Sequence, residues 1–505
     1  MSQHLLIFPI ILPLIAGLLL LWQRQGAAQV KRVVGISATA LLVVVGIALV
    51  ITADDDTIRY YALGNWQPPF GIILVLDRLS AIMVLTTALL ALASVIYASA
   101  GQDEEGSNFH GLFQLQLMGI NGAFMTGDLF NLFVFFEVLL IASYALLMHG
   151  GGKGRTQAGV HYVVLNVAGS SLFLFGLGVL YGTLGSLNMA DMAVRVQYLD
   201  ATQAGLTLAG ALLLLTVFML KAAMLPMYFW LPRAYAAAPA AVAALFTVMT
   251  KVGIYAILRV FTLIFGEKAN HLANISLPWL WWGGLATLVL AGIGVLSARD
   301  LRTQVCYMIL ISVGTLLIAL GMHHESSIAA LLYYTIHTTL ITGGLFLLAD
   351  VIDDQRGKAG ARIVKSRPVL QPTRLGLLYF IGMISVIGLP PLSGAIGKAL
   401  ILLSAEASEQ AWLWPTLLIS SLCGIVAAAR AGSTVFWRTS EGEPSGTPMG
   451  KLRSIGVYSL IGSSIVLTLF AGPLTAYTQA AAEQLLSPER YIQSILIRDT
   501  EGDAL

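Results

Sequence analysis

Glu137 stands in the apolar run 129–148 with no other charge inside it. Lys221, Lys251 and Lys398 each sit in an apolar stretch of their own. A charged side chain at bilayer depth costs from roughly 3 kcal/mol upward, so a chain that keeps one carboxylate and three ammonium groups there uses them. Burial disfavours the charged form of such a group, and a neighbouring opposite charge favours it. Groups poised between the two effects exchange protons. The chemistry these residues point to is charge movement through a membrane, most simply proton movement.

Other polar residues in apolar runs could extend a proton path. His337 lies in Leu331-Leu-Tyr-Tyr-Thr-Ile-His337-Thr-Thr. The unperturbed pKa of an imidazole suits transfer near neutral pH, although a lone histidine in a span can equally be a satisfied structural residue. His161 reads the same way with a weaker signal. Tyr144, Thr250 and Thr339 are candidate accessory groups, polar residues of the kind a relay needs to link its members directly or through bridging water. The bland reading of each lysine is a side chain that snorkels to the interface. For Glu137 it is a hydrogen-bonded structural carboxyl group.

The surrounding chain is built for a membrane. Of 505 residues, 57% are hydrophobic and only 11% charged, with a mean hydropathy of +0.82. Soluble domains carry about 25% charged residues. A net charge of +2 gives no reason to expect nucleic acid. Cys306 and Cys423, with no Cys or His near them in sequence, read as small buried apolar residues. The first run, 5–22, has no basic residue before it, which predicts a retained span rather than a cleaved signal peptide. There is no Walker A sequence, no CxxC and no HExxH, so neither a cofactor nor a metal centre is expected.

A spanning helix needs about 20 mostly apolar residues. Fourteen such segments are expected, near 5–22, 33–51, 71–99, 110–126, 129–149, 159–184, 205–225, 239–265, 278–297, 302–321, 327–350, 375–403, 411–436 and 455–477. An even number of spans puts both termini on one side. Arg and Lys concentrate about threefold in alternate loops, among them Arg24, Lys31, Arg32, Lys153, Arg155, Arg356 and Lys451, which places those loops in the cytoplasm and both termini outside it. The acidic stretch 103–105 runs against this trend.

Two spans are interrupted. Lys221-Ala-Ala-Met-Leu-Pro226 puts a proline just after a lysine, and Gly388-Leu-Pro390-Pro391 cuts the twelfth segment. Proline removes a helical N–H and clashes with the carbonyl four residues back. Such a break survives in a membrane only where protein or water satisfies the freed backbone. One such proline can be a packing kink. Two breaks, each near a lysine, read as an internal repeat with ion sites at broken helices.

These motifs carry a resemblance. Phe130-Asn-Leu-Phe-Val-Phe-Phe-Glu137, Lys221-Ala-Ala-Met-Leu-Pro-Met-Tyr-Phe-Trp-Leu-Pro232, Thr250-Lys251-Val-Gly-Ile-Tyr-Ala-Ile-Leu-Arg259 and Leu389-Pro-Pro-Leu-Ser-Gly-Ala-Ile-Gly-Lys398 resemble, in order, motifs of the antiporter-like subunits shared by respiratory complex I and Mrp-type cation/proton antiporters. The stretch 226–235 and Leu187-Asn-Met-Ala-Asp-Met192 look most like the D-type subunits of Mrp antiporters. The resemblance implies an all-α membrane protein of about fourteen helices in two inverted repeats, with helices 7 and 12 broken. It implies N-terminal helices over 1–100, a first repeat over 101–265, a second over 278–438, and a last helix with a tail over 455–505. Its proton pathway would run through Glu137, Lys221, Lys251, His337 and Lys398. Relatives often carry a lysine where His161 stands and a second ionisable group beyond His337, where this chain reads Thr-Thr-Leu-Ile-Thr342. The function implied is proton conduction in a multisubunit antiporter exchanging Na⁺ or K⁺ for H⁺. Its partners would be the other subunits and the lipid of a bacterial inner membrane. The rival implication is a proton-pumping subunit of complex I or of a membrane-bound hydrogenase.

Overall fold

The structure is a computed structural model and describes residues 3–23, 27–444 and 446–496. Arg24, counted above among the loop cations, lies outside them. The protein is almost wholly helical. Helices α1 (Phe8–Trp22) and α2 (Ala28–Ala53) lead into the antiparallel hairpin β1 (Arg59–Ala62) and β2 (Ile73–Leu76), which pairs Arg59 with Leu76. Then come α3 (Arg78–Ala98), α4 (Phe109–Met125), α5 (Leu129–Leu147), α6 (Lys153–Leu184), the short α7 (Met189–Arg195) and α8 (Ala201–Ala222). After a gap, α9 (Trp230–Ala237), α10 (Ala240–Phe246) and α11 (Met249–Leu263) follow, and then α12 (Leu277–Ser297), α13 (Leu301–Met322) and α14 (Glu325–Gln355). The rest is α15 (Pro372–Ile387), α16 (Ser393–Leu403), α17 (Ala407–Gly432), α18 (Lys451–Leu469), α19 (Ala471–Leu485) and α20 (Pro488–Leu496).

Twelve helical segments among the described residues are long and apolar enough to cross a membrane. The expected fourteen also counts α4 and takes the two short apolar helices α15 and α16 as one crossing. The expected segment 375–403 is divided there, and 455–477 ends early, at Leu469. Pro473 accounts for that end, because its ring collides with the carbonyl four residues back, that of Leu469. The chain then bends at Phe470 into α19.

Burial shows where the centre lies. The best spanning windows of α1, α2, α6 and α17 are no more than 39% buried, whereas those of α10–α11 and α14 are fully buried. Helices apolar on all sides belong inside a bundle. Thus the central helices carry Lys251 and His337, and α12 and α13 pack beside them through glycine contacts. A Cβ on Gly314 would stand 2.8 Å from the Leu288 nitrogen, and small residues of this kind let helix backbones approach closely in lipid.

The two halves share local architecture. Ahead of α5, Leu129 N–H donates to Leu187 O at 2.9 Å and Met189 N–H to Gly127 O at 2.9 Å. Ahead of α13, Leu301 N–H donates to Ala361 O at 2.9 Å and Ile363 N–H to Arg299 O at 2.8 Å. Asp128 and Asp300 cap the two helices by accepting from the Asn131 and Thr303 N–H groups, each at 2.8 Å. These matched motifs lie on opposite faces of the bundle.

On one face, here the terminal face, His4 packs on Tyr61 with ring centroids 5.7 Å apart, Arg490 pairs with Asp56 at 2.7 Å, and Lys268 pairs with Glu489. Both ends of the described chain meet there. On the far face Arg32 pairs with Asp103 at 2.7 Å, Arg155 with Glu105 at 3.1 Å, and Arg302 with Asp350 at 2.6 Å. The acidic stretch 103–105 that runs against the loop-charge trend is thus neutralised by arginines near the starts of α2 and α6.

Asp103 also accepts from His110 Nε2 at 3.0 Å. Burial raises the Asp103 pKa, but the hydrogen bonds from Arg32 and His110 outweigh it and hold the carboxyl group at about 2. A depressed folded-state pKa stabilises above the unfolded value, and that stability is lost as pH falls through the folded value. The unfolding midpoint in detergent should therefore hold from about pH 7 to pH 5 and fall below about pH 4. Asp103→Asn should lower the midpoint at neutral pH and shrink the acid loss. A parental midpoint and acid profile in that variant would show that the cluster stabilises nothing.

Candidate functional site

Asp128 starts α5, and the helix it caps carries Glu137 in its third turn. Glu137 is half-buried and accepts from the Ser170 hydroxyl of α6. Four residues before Ser170 on the same helix, Asn166 Oδ1 accepts from Lys221 Nζ at 2.9 Å. Lys221 also lies over the Phe136 ring, 6.0 Å from its centroid. Glu137 is within electrostatic reach of Lys221, but among the described residues no ion pair joins them directly. One face of α6 separates the two charges and holds each by a hydrogen bond. A bond to a charged group contributes about 1.5–3 kcal/mol.

Lys221 occupies the last turn of α8, which ends at Ala222. Ala223 takes a left-handed φ of 61°. Met224 N–H then bonds to Met219 O at 2.9 Å, and Trp230 Nε1 donates to Leu220 O at 3.2 Å. The Met219 and Leu220 carbonyls at the break are thus satisfied inside protein, as the bilayer requires. Gly253 of α11 abuts this break, and a Cβ there would lie 2.5 Å from the Ala222 nitrogen. Glycine thereby lets the helix carrying Lys251 press against the helix end carrying Lys221.

Lys251 is 1% exposed, and its Nζ has no hydrogen-bond partner among the described residues. His337 is also 1% exposed. Its Nδ1 lies 2.8 Å from Ser393 Oγ, which lies 2.8 Å from Ser464 Oγ. Ser464 in turn bonds to the Ser385 hydroxyl. The other imidazole nitrogen, Nε2, is unpartnered among the described residues, as are the hydroxyls of Thr335 and Thr338. His337 is within electrostatic reach of both Lys251 and Lys398.

The second interruption has the same construction as the first. Gly388 ends α15 with φ 87°, and Leu389 N–H bonds to Ile384 O at 3.0 Å. Lys398, in α16, reaches back across the gap. Its Nζ donates to Ile387 O at 2.7 Å and to Ser421 Oγ at 2.8 Å. A cation at the carbonyl end of a helix meets the negative end of its dipole. Gly394 is required here, since a Cβ would fall 1.8 Å from Ser385 O and 2.8 Å from His337 Nε2.

The accessory candidates divide. Tyr144 stacks edge-on to Tyr162, with centroids 5.5 Å apart, and Tyr162 shares a hydrogen bond of 3.1 Å with Ser143. His161 is half-buried and lies on a different side of α6 from Tyr162, Asn166 and Ser170. Thr250 returns its hydroxyl to Thr247 O at 3.4 Å, and Thr339 to Thr335 O at 2.6 Å. The structure adds residues that the sequence alone did not single out: Asn166, Ser170, Ser385, Ser393, Ser421 and Ser464. The spacing of Asn166 and Ser170, four apart in the mostly apolar middle of α6, was the available signal for two of them. The serines around His337 and Lys398 come from four different helices and carried none.

Known proteins share both the sequence and the fold. A family profile described as "NADH:quinone oxidoreductase/Mrp antiporter, TM" matches residues 126–424. The chain is 41% identical to the D-type subunit of a probable K(+)/H(+) antiporter from Rhizobium meliloti (strain 1021), over 99% of each chain. It is 37% identical to the D-type subunit of a Na(+)/H(+) antiporter from Bacillus subtilis (strain 168), over 98% of this chain and 99% of that one. In fold it is similar to a chain of the Mrp complex from Dietzia sp. DQ12-45-1b, with TM-score 0.87, 24% identity, and coverage of 98% and 99%. It is also similar to a chain of respiratory complex I from Thermus thermophilus, with TM-score 0.79, 24% identity, and coverage of 95% and 99%.

The Lys398 contacts generate a test. Lys398→Ala should remove transport. Lys398→Arg should also impair it, because guanidinium stays protonated at any accessible pH while ammonium can release its proton. Measured at equal membrane abundance, full activity in the arginine variant would mean that Lys398 supplies only fixed charge.

Proposed function

We propose a role that starts from membership: the chain belongs to the NADH:quinone oxidoreductase/Mrp antiporter transmembrane family. It is a multi-pass membrane protein and the D-type, proton-conducting subunit of a multisubunit cation/proton antiporter. It acts with the other subunits of that complex to exchange Na⁺ or K⁺ for H⁺, as a transporter subunit rather than an enzyme. It crosses a bacterial inner membrane fourteen times, with the terminal face outside the cytoplasm. Residues 1–100 are the N-terminal helices, 101–265 and 278–438 the two repeats, and 455–505 the last spanning helix with its tail.

The observation that carries this reading is a file of polar groups across the buried middle of the bundle. It runs from Glu137 with Ser170, through Asn166 with Lys221, to the unpartnered Lys251, then to His337 with its serines, and ends at Lys398. Buried polar groups in proteins almost always have partners. Here several lack one among the described residues, a setting in which bridging water would complete the file and carry the proton. Glu137 and Lys221, each held by its own neutral partner on α6, can change protonation without a fixed ion pair having to break.

Glu137→Gln tests the first member of the file. Glutamine keeps the size and the hydrogen bond to Ser170 but cannot release a proton. Antiport in membrane vesicles holding the complete complex should be lost while assembly is retained. Near-normal antiport in this variant would sink the relay.

The open side of α5 generates a second test. Glu137 shares a helical stripe with Phe130, Val134 and Ile141, which are 46%, 39% and 64% exposed. A half-buried carboxyl group on an uncovered lipid-facing stripe is costly, so partner subunits cover it. The purified chain alone in liposomes should show no Na⁺- or K⁺-dependent proton flux. Robust flux from the single chain would remove the dependence on partners.

A further inference from the structure

Lys251, Tyr255 and Arg259 stand four residues apart on α11, so they share one face of the helix. The line runs from the buried centre toward the terminal face. The Tyr255 hydroxyl donates to Phe124 O at 2.5 Å and accepts from Arg259 Nε at 3.3 Å. Arg259 Nη1 pairs with Asp77 Oδ2 at 2.6 Å, and the two side chains are 5% and 2% exposed. This buried pair has a roof. The Tyr491 ring of α20 lies 5.5 Å from the Arg259 guanidinium, and its hydroxyl is buried without a hydrogen-bond partner among the described residues. Tyr491 and Ile495 are the two buried residues of α20. The helix is pinned at its start by Arg490 on Asp56 and Glu489 on Lys268. Beside it opens a polar cavity of about 260 Å³ lined by Gln197, Thr262, Glu267 and His323. Thr262 is one turn beyond Arg259 on α11.

We propose that the Asp77–Arg259 pair, roofed by Tyr491, is a gate on the transport route, separating Lys251 from a vestibule on the terminal face. The inference rests on the proton-route reading of Lys251. A pair that only pinned α3 to α11 would need neither a line of polar groups leading to it from Lys251 nor a polar cavity beyond it. Asp77 also caps α3 by accepting from Ser80 N–H at 2.8 Å. Asparagine serves equally well as a cap, so Asp77→Asn weakens the pair while leaving the helix start intact. Tyr491→Phe keeps the ring over Arg259, and Tyr491→Ala removes it.

The test uses the assembled complex in membranes, with Cys306 and Cys423 replaced by alanine and a charged, membrane-impermeant thiol reagent applied from either side. Gln197→Cys, in the vestibule, should react from the terminal face in every background. Tyr255→Cys, below the gate, should react slowly from that face, and about tenfold faster when combined with Asp77→Asn or Tyr491→Ala, but not with Tyr491→Phe. With Tyr255 intact, Asp77→Asn and Tyr491→Ala should raise passive proton leak while Tyr491→Phe stays parental. Equal Tyr255→Cys labelling in all these backgrounds, or faster labelling from the far face, would overturn the gate. Glu137→Gln measured in parallel separates the two readings. If it abolishes antiport while the labelling result fails, the gate falls and the proton route stands. If the parental complex shows no cation-dependent proton flux, the route falls first and the gate with it.

Discussion

An ammonium group in the hydrocarbon layer is stabilised most by oxygen atoms that no other donor holds, and a carbonyl released at a helix end is a better acceptor for it than one already engaged in the helix ladder. The two interrupted helices meet this demand. Where α15 stops at Gly388, the carbonyl of Ile387 is released and Lys398 takes it. Where α8 stops at Ala223, Lys221 turns instead to an amide side chain on α6. The breaks are tolerated because they are internal. Their loose backbone ends are closed by left-handed residues and by donors from neighbouring helices, as a break in the bilayer requires.

The rest of the packing follows from placing the ends of α8 and α15 against the central helices α11 and α14. Gly253 allows α11 to touch the first break, and Gly394 allows the start of α16 to tuck under Ser385 and beside His337. A side chain at either glycine would collide with the backbone of the neighbouring segment and force the two apart. Around this centre the matched hydrogen bonds ahead of α5 and α13 repeat one design on opposite faces. The same solution for exposed helix starts is thus used once per half. The arginines of each face then tie the loops together.

Electrostatics divides the molecule into layers. Ion pairs at the faces are direct and largely bidentate or networked, as with Arg32 and Asp103. In the spanning layer, among the described residues, Lys221 and Lys398 meet neutral partners, Lys251 meets none, and Glu137 is held by a serine. A tight buried ion pair in the middle would fix both charges and stop a proton from moving between them. Asp77 with Arg259 departs from this arrangement, being a direct pair well inside the protein at the end of the Lys251 line.

The membrane character of the chain and the apolar setting of its lone ionisable residues were legible in the sequence. Hydropathy over about 20 residues is a local property, so most spans were found where they lie. A lone charge in an apolar run is equally visible without knowing its neighbours, hence Glu137, the three lysines and His337. Prolines mark the regions where α8 and α15 end, because proline acts on its own helix. Pro473 was the same signal, missed because the flanking residues stay apolar. What only the tertiary structure decided are the relations between distant segments. Asn166, not Glu137, is the partner of Lys221, and Ser393 and Ser464 meet at His337 across 71 residues of sequence. Tyr491 closes over Arg259 from the far end of the chain. Polar residues such as serine sit cheaply almost anywhere along a membrane helix. Only the packing of several helices around one point gives particular ones a charge to serve.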